Sequence, residues 1–255
     1  MIRLQHRHAG LVVGLAAAAA MTGCAYNEAL GRDQLLMVND TALTKAAAQA
    51  WTQTLNTERV SRDPVANERV RVVGGRIVQA AGLGNQHWEY VVFENDDVNA
   101  FVLPGGRMGV NTGLLRLVRN DDQLAAVIGH EVAHTAAHHA AERASQENLT
   151  SIGLAIGKSV LGSQSNAGQM ISAYGGAGAQ LGILLPFSRQ HELEADRLGV
   201  DYMQRAGYDP RQAVALWRMM ASQSKGGPPQ FASTHPSDQT RIAALEAYLK
   251  QKGWS

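Results

Sequence analysis

Apolar residues return at helical spacing early in the chain, at Leu43, Ala47, Ala50, Trp51 and Leu55. Residues three and four apart share one side of an α-helix, so this run predicts a helix capped by Asn39, Asp40 or Thr41. Asp63-Pro64-Val65 interrupts it. Val65, Val70, Val72 and Ile77 then predict a second helix from about Pro64 to Gln79, against which Gly74-Gly75 argues. The pattern next shifts to β-rich runs. Trp88 to Phe93, Asn99 to Leu103 and Met108 to Thr112 predict three strands, punctuated by Asn95-Asp96-Asp97 and Pro104-Gly105-Gly106. Their spacing predicts a small antiparallel meander. Gly113 to Val118 starts a short helix, and Arg119 to Asp122 leads into a longer one. That helix has an apolar face of Leu124, Ala125, Val127 and Ile128, and Asp121 and Asp122 can cap it.

From Ala140 to Phe187 the chain is small-residue-rich and apolar. Ile152 to Leu161 and Met170 to Leu184 predict two helices, with Gly162 to Gly168 between them. The many glycines argue against a membrane span and for core or lid helices that pack closely. No internal repeat is visible. The expected fold is mainly α with a small antiparallel β-sheet, and one domain runs from residue 63 to 255. Residues 24–62 form a linker and helix packed on its outside.

Composition narrows the function classes. With 255 residues the chain has ample core, and a net charge of +1 without a basic stripe argues against nucleic acid. Arg3 and Arg7 precede an apolar run, Leu11 to Ala20, too short to span a bilayer comfortably. Met21-Thr22-Gly23-Cys24 follows and resembles a bacterial lipobox. Residues 1–23 are then a signal peptide and Cys24 the lipidated first mature residue. Cys24 is the single cysteine, which excludes an internal disulfide. Ala25, where Asp would retain a lipoprotein at the inner membrane, points to the periplasmic face of the outer membrane.

The chemistry lies in His130-Glu131-Val132-Ala133-His134. An H-E-x-x-H helix aims two imidazoles at one point and sets a carboxylate beside it, which suits zinc and a water from which Glu131 can take a proton. A catalytic zinc usually takes a third protein ligand. The metzincin continuation would need Gly at 137 and His at 140, and both positions are Ala. On a straight helix His138 and His139 lie about one and a half turns beyond His134, out of reach of the same ion. That leaves them as supports of a ligand or as surface residues. Downstream, Glu192 and Asp196 stand four apart with Glu194 on the far side. This helix reads equally as a ligand-bearing element or as a solvated charged one.

Taken together, these motifs resemble the HtpX/BepA-type zinc metallopeptidases, the gluzincin family that includes the CAAX prenyl proteases. The resemblance runs from about residue 95 to 245. It rests on H-E-x-x-H, on Glu192-Leu193-Glu194-Ala195-Asp196, on Asn99-Ala100-Phe101 through Leu115, on Ser188-Arg189, and on Thr234-His235-Pro236 with Arg241. It implies a zincin-type domain with one zinc ion on His130, His134 and Glu192, Glu131 as general base, and Asp196 holding a ligand histidine. His235 near the site would stabilise the oxyanion or occupy the open zinc position at rest, with Arg241 fixing its loop. Without clear transmembrane helices the chain departs from HtpX and is closer to the BepA-like and LoiP-like soluble branch, and no tetratricopeptide repeats follow residue 245.

The expected protein is a lipid-anchored zinc endopeptidase that cleaves unfolded or misassembled envelope proteins. These would be held extended along the strand edge at Asn99, Ala100 and Phe101. The rival is a non-catalytic, zinc-stabilised, chaperone-like lipoprotein. Location alone would also admit a hydrolase for another envelope bond, such as a peptidoglycan cross-link.

Overall fold

The computed structural model describes residues 24–147, 188–222, 231, 235 and 239–254. It begins with an antiparallel hairpin of β1 (Cys24–Asn27) and β2 (Arg32–Leu35). Helix α1 (Asp40–Thr57) follows, with Asn39 as its cap, because the Asn39 side chain accepts from Ala42 N. Asp63 caps α2 (Pro64–Ala80), where Pro64 occupies a first-turn position whose N–H would be unpaired anyway. Gly74 does not break α2. A Cβ there would lie 2.6 Å from Tyr90 Cε1, so the missing side chain lets the helix settle on the sheet.

The sheet comprises β3 (Glu89–Phe93), β4 (Ala100–Leu103) and β5 (Arg107–Asn111), in the order β3-β5-β4. β4 and β5 form the antiparallel pair expected of a hairpin, turned by Gly105 and Gly106 at φ of 86° and 77°. β3, however, pairs parallel with β5, so the sheet is mixed and the antiparallel meander is incorrect. The connection over residues 94–99 arches across the end of β5, where Gly113 N and Thr112 Oγ1 donate to Asn95 O. That arch holds β3 and β4 two strand spacings apart, and β5 fills the gap. The outer edge of β3 is covered by Arg59 to Ser61: Ser61 N donates to Val92 O and Glu94 N to Arg59 O. β4 forms the other edge.

Helix α3 (Thr112–Leu117) leads into α4 (Asp121–Ala136). Its cap is Asn120, whose side chain accepts from Gln123 N, and not Asp121 or Asp122. The chain is still extended at Asn120, which is where a capping side chain can fold back. Asp122 instead accepts from Asp209 N. α4 is buried from Gln123 to His134. It packs on α2, on α5 (Arg189–Arg205), capped by Ser188, and on α6 (Arg211–Ser222). The last helix, α7 (Gln239–Lys252), lies against α5 and α6. The core joins Val70, Val73 and Ile77 of α2 and Leu124, Val127 and Ile128 of α4 to Met203, Leu216 and Trp217.

The chain is mainly helical with small sheets, as the patterning implies. The segment before residue 63 is less detached than a linker: Gln34 is buried and donates to Ala137 O and Glu142. The signal segment at 1–23 and the helices expected between 148 and 187 lie outside the described residues. Among those described, no helix is long and apolar enough to cross a membrane.

Candidate metal centre

α4 and α5 approach most closely at Gly129 and Gly199. A Cβ on Gly199 would stand 3.0 Å from His130 N and 3.1 Å from Gly129 C. Two glycines face to face let the backbones touch, and this contact brings His130 on one helix to Glu192 and Asp196 on the other. His134 follows one turn after His130. All four residues are buried.

Their polar atoms converge. His134 Nε2 lies 3.1 Å from His130 Nε2. Glu192 reaches both, with Oε2 3.3 Å from His130 Nε2 and Oε1 3.3 Å from His134 Nε2. His235 adds Nδ1, 3.2 Å from His130 Nε2 and 3.0 Å from Glu192 Oε1. One ligand atom from each of the four lies within 4.8 Å of the others. Tetrahedral zinc with bonds of about 2.0–2.1 Å separates neighbouring ligand atoms by about 3.3 Å. The observed edges are close to that value, and the donor set of imidazoles plus one carboxylate is one zinc takes. The residues fit the metal.

Neighbours fix the ring nitrogens. Asp196 Oδ1 is 3.0 Å from His130 Nδ1, and a carboxylate only accepts, so His130 carries its proton on Nδ1 and turns the Nε2 lone pair inward. Arg241 grips Asp196 through Nε at 2.8 Å and Nη2 at 2.7 Å. Its Nη1 lies 2.7 Å from Glu192 Oε2 and donates to His235 O at 3.2 Å. His235 also stacks on Phe231, and its N–H donates to Phe231 O.

Electrostatics agree with this division of labour. Burial alone would raise the Glu192 carboxyl, but His130, His134 and His235 outweigh it and hold the group far below the usual carboxylate range. Burial opposes charge on His130 too, yet the carboxylates of Glu192 and Asp196 raise it to about 9, and a bound zinc would supply the positive charge they favour. Burial pushes His134 well below its ordinary value and keeps it neutral, as a ligand must be. Glu131 is the carboxyl of this group that ends up raised, because burial outweighs the pull of His235 and His130. Its Oε1 lies 3.3 Å from His235 Nε2, and it accepts from the backbone of Val102.

The structure thus brings together His130, Glu131, His134, Glu192, Asp196, His235 and Arg241. The strand residues divide. Ala100 is buried in the core, Asn99 O accepts from Asn111 N, and the Phe101 ring stacks on Phe93 and meets Trp51 edge-on. The Ala100 and Phe101 side chains pack into the fold, and Val102 is the β4 residue that meets Glu131. Beside it a pocket of about 340 Å³ is lined by Leu43, Leu83, Val102, Pro104, His134 and Ala140, among others. Cys24 is exposed at the start of β1.

A second cluster has no sequence signal beyond the charge of its members. α4 ends at Ala136, and His138 takes a positive φ of 54°. This turn swings His139 back under the site, fully buried, while His138 stays exposed. His139 Nδ1 is 2.9 Å from His134 Nδ1, and its Nε2 is 3.1 Å from Glu194 Oε2. Glu194 does point away from Glu192, but into protein: Arg32 of β2 holds it at 2.6 and 2.8 Å. Arg32 also holds Glu142 at 2.7 and 2.9 Å, and Glu142 accepts from Gln34 and pairs with His191.

Comparison with known proteins agrees with this geometry. Residues 64–249 match the model of peptidase family M48. The mitochondrial metalloendopeptidase OMA1 of Schizosaccharomyces pombe is 37% identical over 178 residues, covering 69% of this chain and 51% of that protein. The β-barrel assembly-enhancing protease of Escherichia coli K12 is 31% identical over 188 residues, 71% of this chain and 38% of that one. Bovine mitochondrial metalloendopeptidase OMA1 is 31% identical over 241 residues, 87% of this chain and 45% of its own. The chain spans about half the length, or less, of these relatives.

Proposed function

Since the chain belongs to peptidase family M48, we propose that it is a zinc-dependent endopeptidase acting on unfolded or misassembled proteins of the cell envelope. The observation that carries this is the meeting of His130, His134 and Glu192 around one point with the buried, proton-seeking Glu131 alongside. When bound, zinc supplies a Lewis acid for the scissile carbonyl and the attacking water. Glu131 takes the proton of that water and hands it to the leaving amine, a role helped by burial that lifts its affinity for a proton. Asp196, gripped by Arg241, keeps His130 in its ligating tautomer.

Substrate would lie extended along β4, where backbone pairing needs little sequence. Val102 N–H already reaches toward Glu131, and the pocket beside it would take an apolar side chain. His235 supports the resting-latch role over the oxyanion role. Its Nδ1 sits among the ligand atoms, and Arg241 and Phe231 hold it there. A lipid on Cys24 would tether the enzyme to the periplasmic face of the outer membrane. The assembly-enhancing protease among the relatives favours that setting.

The same position of His235 is what a non-catalytic, chaperone-like binder would also show. Zinc content and casein cleavage of the parent and of Glu131→Gln discriminate. We expect one zinc in both and cleavage in the parent alone. Zinc with no cleavage in the parent, persisting after His235→Ala, would overturn the peptidase reading.

A further inference from the structure

Arg32 lies on the amino-terminal hairpin, far along the chain from H-E-x-x-H, yet an unbroken line of polar contacts joins the two. Arg32 Nη2 meets Glu194 Oε2 at 2.8 Å, that oxygen meets His139 Nε2 at 3.1 Å, and His139 Nδ1 meets His134 Nδ1 at 2.9 Å. Proton bookkeeping along the line allows one arrangement for a neutral His139. Glu194 is a carboxylate and only accepts, so the His139 proton sits on Nε2. His139 Nδ1 then carries a lone pair, and His134 must donate its Nδ1 proton to it. The Nε2 lone pair of His134 is thereby turned toward His130 and Glu192. The ring of His191 stacks on His139 at 4.4 Å between centroids.

We propose that Arg32 is a positioning residue of the metal site, acting through Glu194 and His139 to fix the tautomer and aim of His134. This rests on the zinc reading above. The guanidinium fixes the Glu194 oxygens at 2.6 and 2.8 Å. Gln190 occupies Oε1 at 3.0 Å, leaving Oε2 to face His139. The amino-terminal hairpin is then part of the ligand set's construction as well as the point of the tether.

Glu142 supplies a matched control. It is the other carboxylate on Arg32, and it too pairs with a buried histidine, His191, which stacks on His139 rather than hydrogen-bonding to it. Zinc dissociation constants are measured by chelator competition on the purified protein, with the visible spectrum of the cobalt-substituted form and melting temperatures of the metal-free form. Glu194→Gln puts an amide against His139 or against the donors of Arg32. It is expected to weaken zinc about 10- to 100-fold, the usual effect of removing a ligand's outer partner, and to alter the cobalt spectrum. Glu142→Gln is expected to lower the melting temperature similarly and leave zinc affinity and spectrum unchanged. Arg32→Gln, on the partly exposed hairpin, is expected to weaken zinc as well and serves if Glu194→Gln does not fold. Equal loss of affinity in the Glu142 and Glu194 (or Arg32) variants, or no loss in either, would overturn the proposal. His134→Ala that still held stoichiometric zinc would instead sink the site assignment on which it rests.

Discussion

Gly75 and Gly199 are both helical glycines, and the same substitution to alanine should move stability in opposite directions. In a helix interior alanine is favoured over glycine by about 0.8–1.0 kcal/mol. At Gly75 a new Cβ meets nothing within 4 Å, so this gain should appear almost whole. For a chain of this size that is about 2–4 °C in melting temperature. At Gly199 the Cβ would stand 3.0 Å from His130 N, 3.1 Å from Gly129 C and 3.3 Å from Gly129 O, all backbone atoms of a buried helix. Relief requires α4 and α5 to part by a few tenths of an ångström. Overpacking of this kind costs about 1–3 kcal/mol, which cancels or exceeds the propensity gain. The contact point is also the residue before His130 and less than one turn from Asp196. Separating the helices therefore lengthens the very edges that suit zinc. Thermal melting of the metal-free protein and zinc competition give the two readouts. Gly75→Ala should melt higher with unchanged zinc affinity, and Gly199→Ala should melt no higher than the parent and bind zinc more weakly. A Gly199→Ala protein that melted higher and bound zinc as tightly as the parent would refute the view that this crossing sets the site.

Two further outcomes follow from the side chains around the centre. His235→Ala should leave zinc bound through the remaining three ligands and raise casein cleavage if His235 is a latch; abolished cleavage with zinc intact would assign it to the oxyanion instead. Burial raises the Glu142 carboxyl, but His191, Arg32 and Gln34 overcome this and lower it from 4.5 to about 2. A lowered folded-state value means that its stabilisation is complete above about pH 4.5 and is lost as the pH falls toward 2. Melting temperature followed over that interval should fall more steeply in the parent than in Glu142→Gln, and parallel curves would refute this account of hairpin docking.

Elements with their own local signature were legible in the sequence. Helical periodicity marked α1 and α2, and turn residues separated the strands. H-E-x-x-H put two histidines on one side of a helix, because four-residue spacing alone decides that. Strand order was not legible, since a run such as Trp88 to Phe93 records its own β propensity and not which neighbour it meets. Glu192 as a ligand was undecided from spacing, because a charged helix looks the same whether its carboxylates face solvent or an ion. His139 was left open between supporting a ligand and lying on the surface, because a straight helix does not say which; the positive φ at His138, which turns the chain after Ala136, brings it against His134. Arg32 and Glu142 were invisible, being single charges whose meaning lies in partners 49 to 162 residues away.

The two histidines assigned to the metal stand one helical turn apart but draw their support from opposite ends of the chain. His130 reaches a guanidinium in one step, through Asp196 to Arg241 on α7. His134 needs two, through His139 and Glu194 to Arg32 on β2. A buried carboxylate beside a histidine is costly unless a cation compensates it, and in each case that cation comes from a terminal element, not from α4 or α5. α4 itself carries no lysine or arginine. Docking of the amino-terminal hairpin and of α7 is therefore thermodynamically linked to metal binding. Whatever favours the metal-bound form must favour both docked ends, and whatever pulls the hairpin away must loosen His134 before it loosens His130.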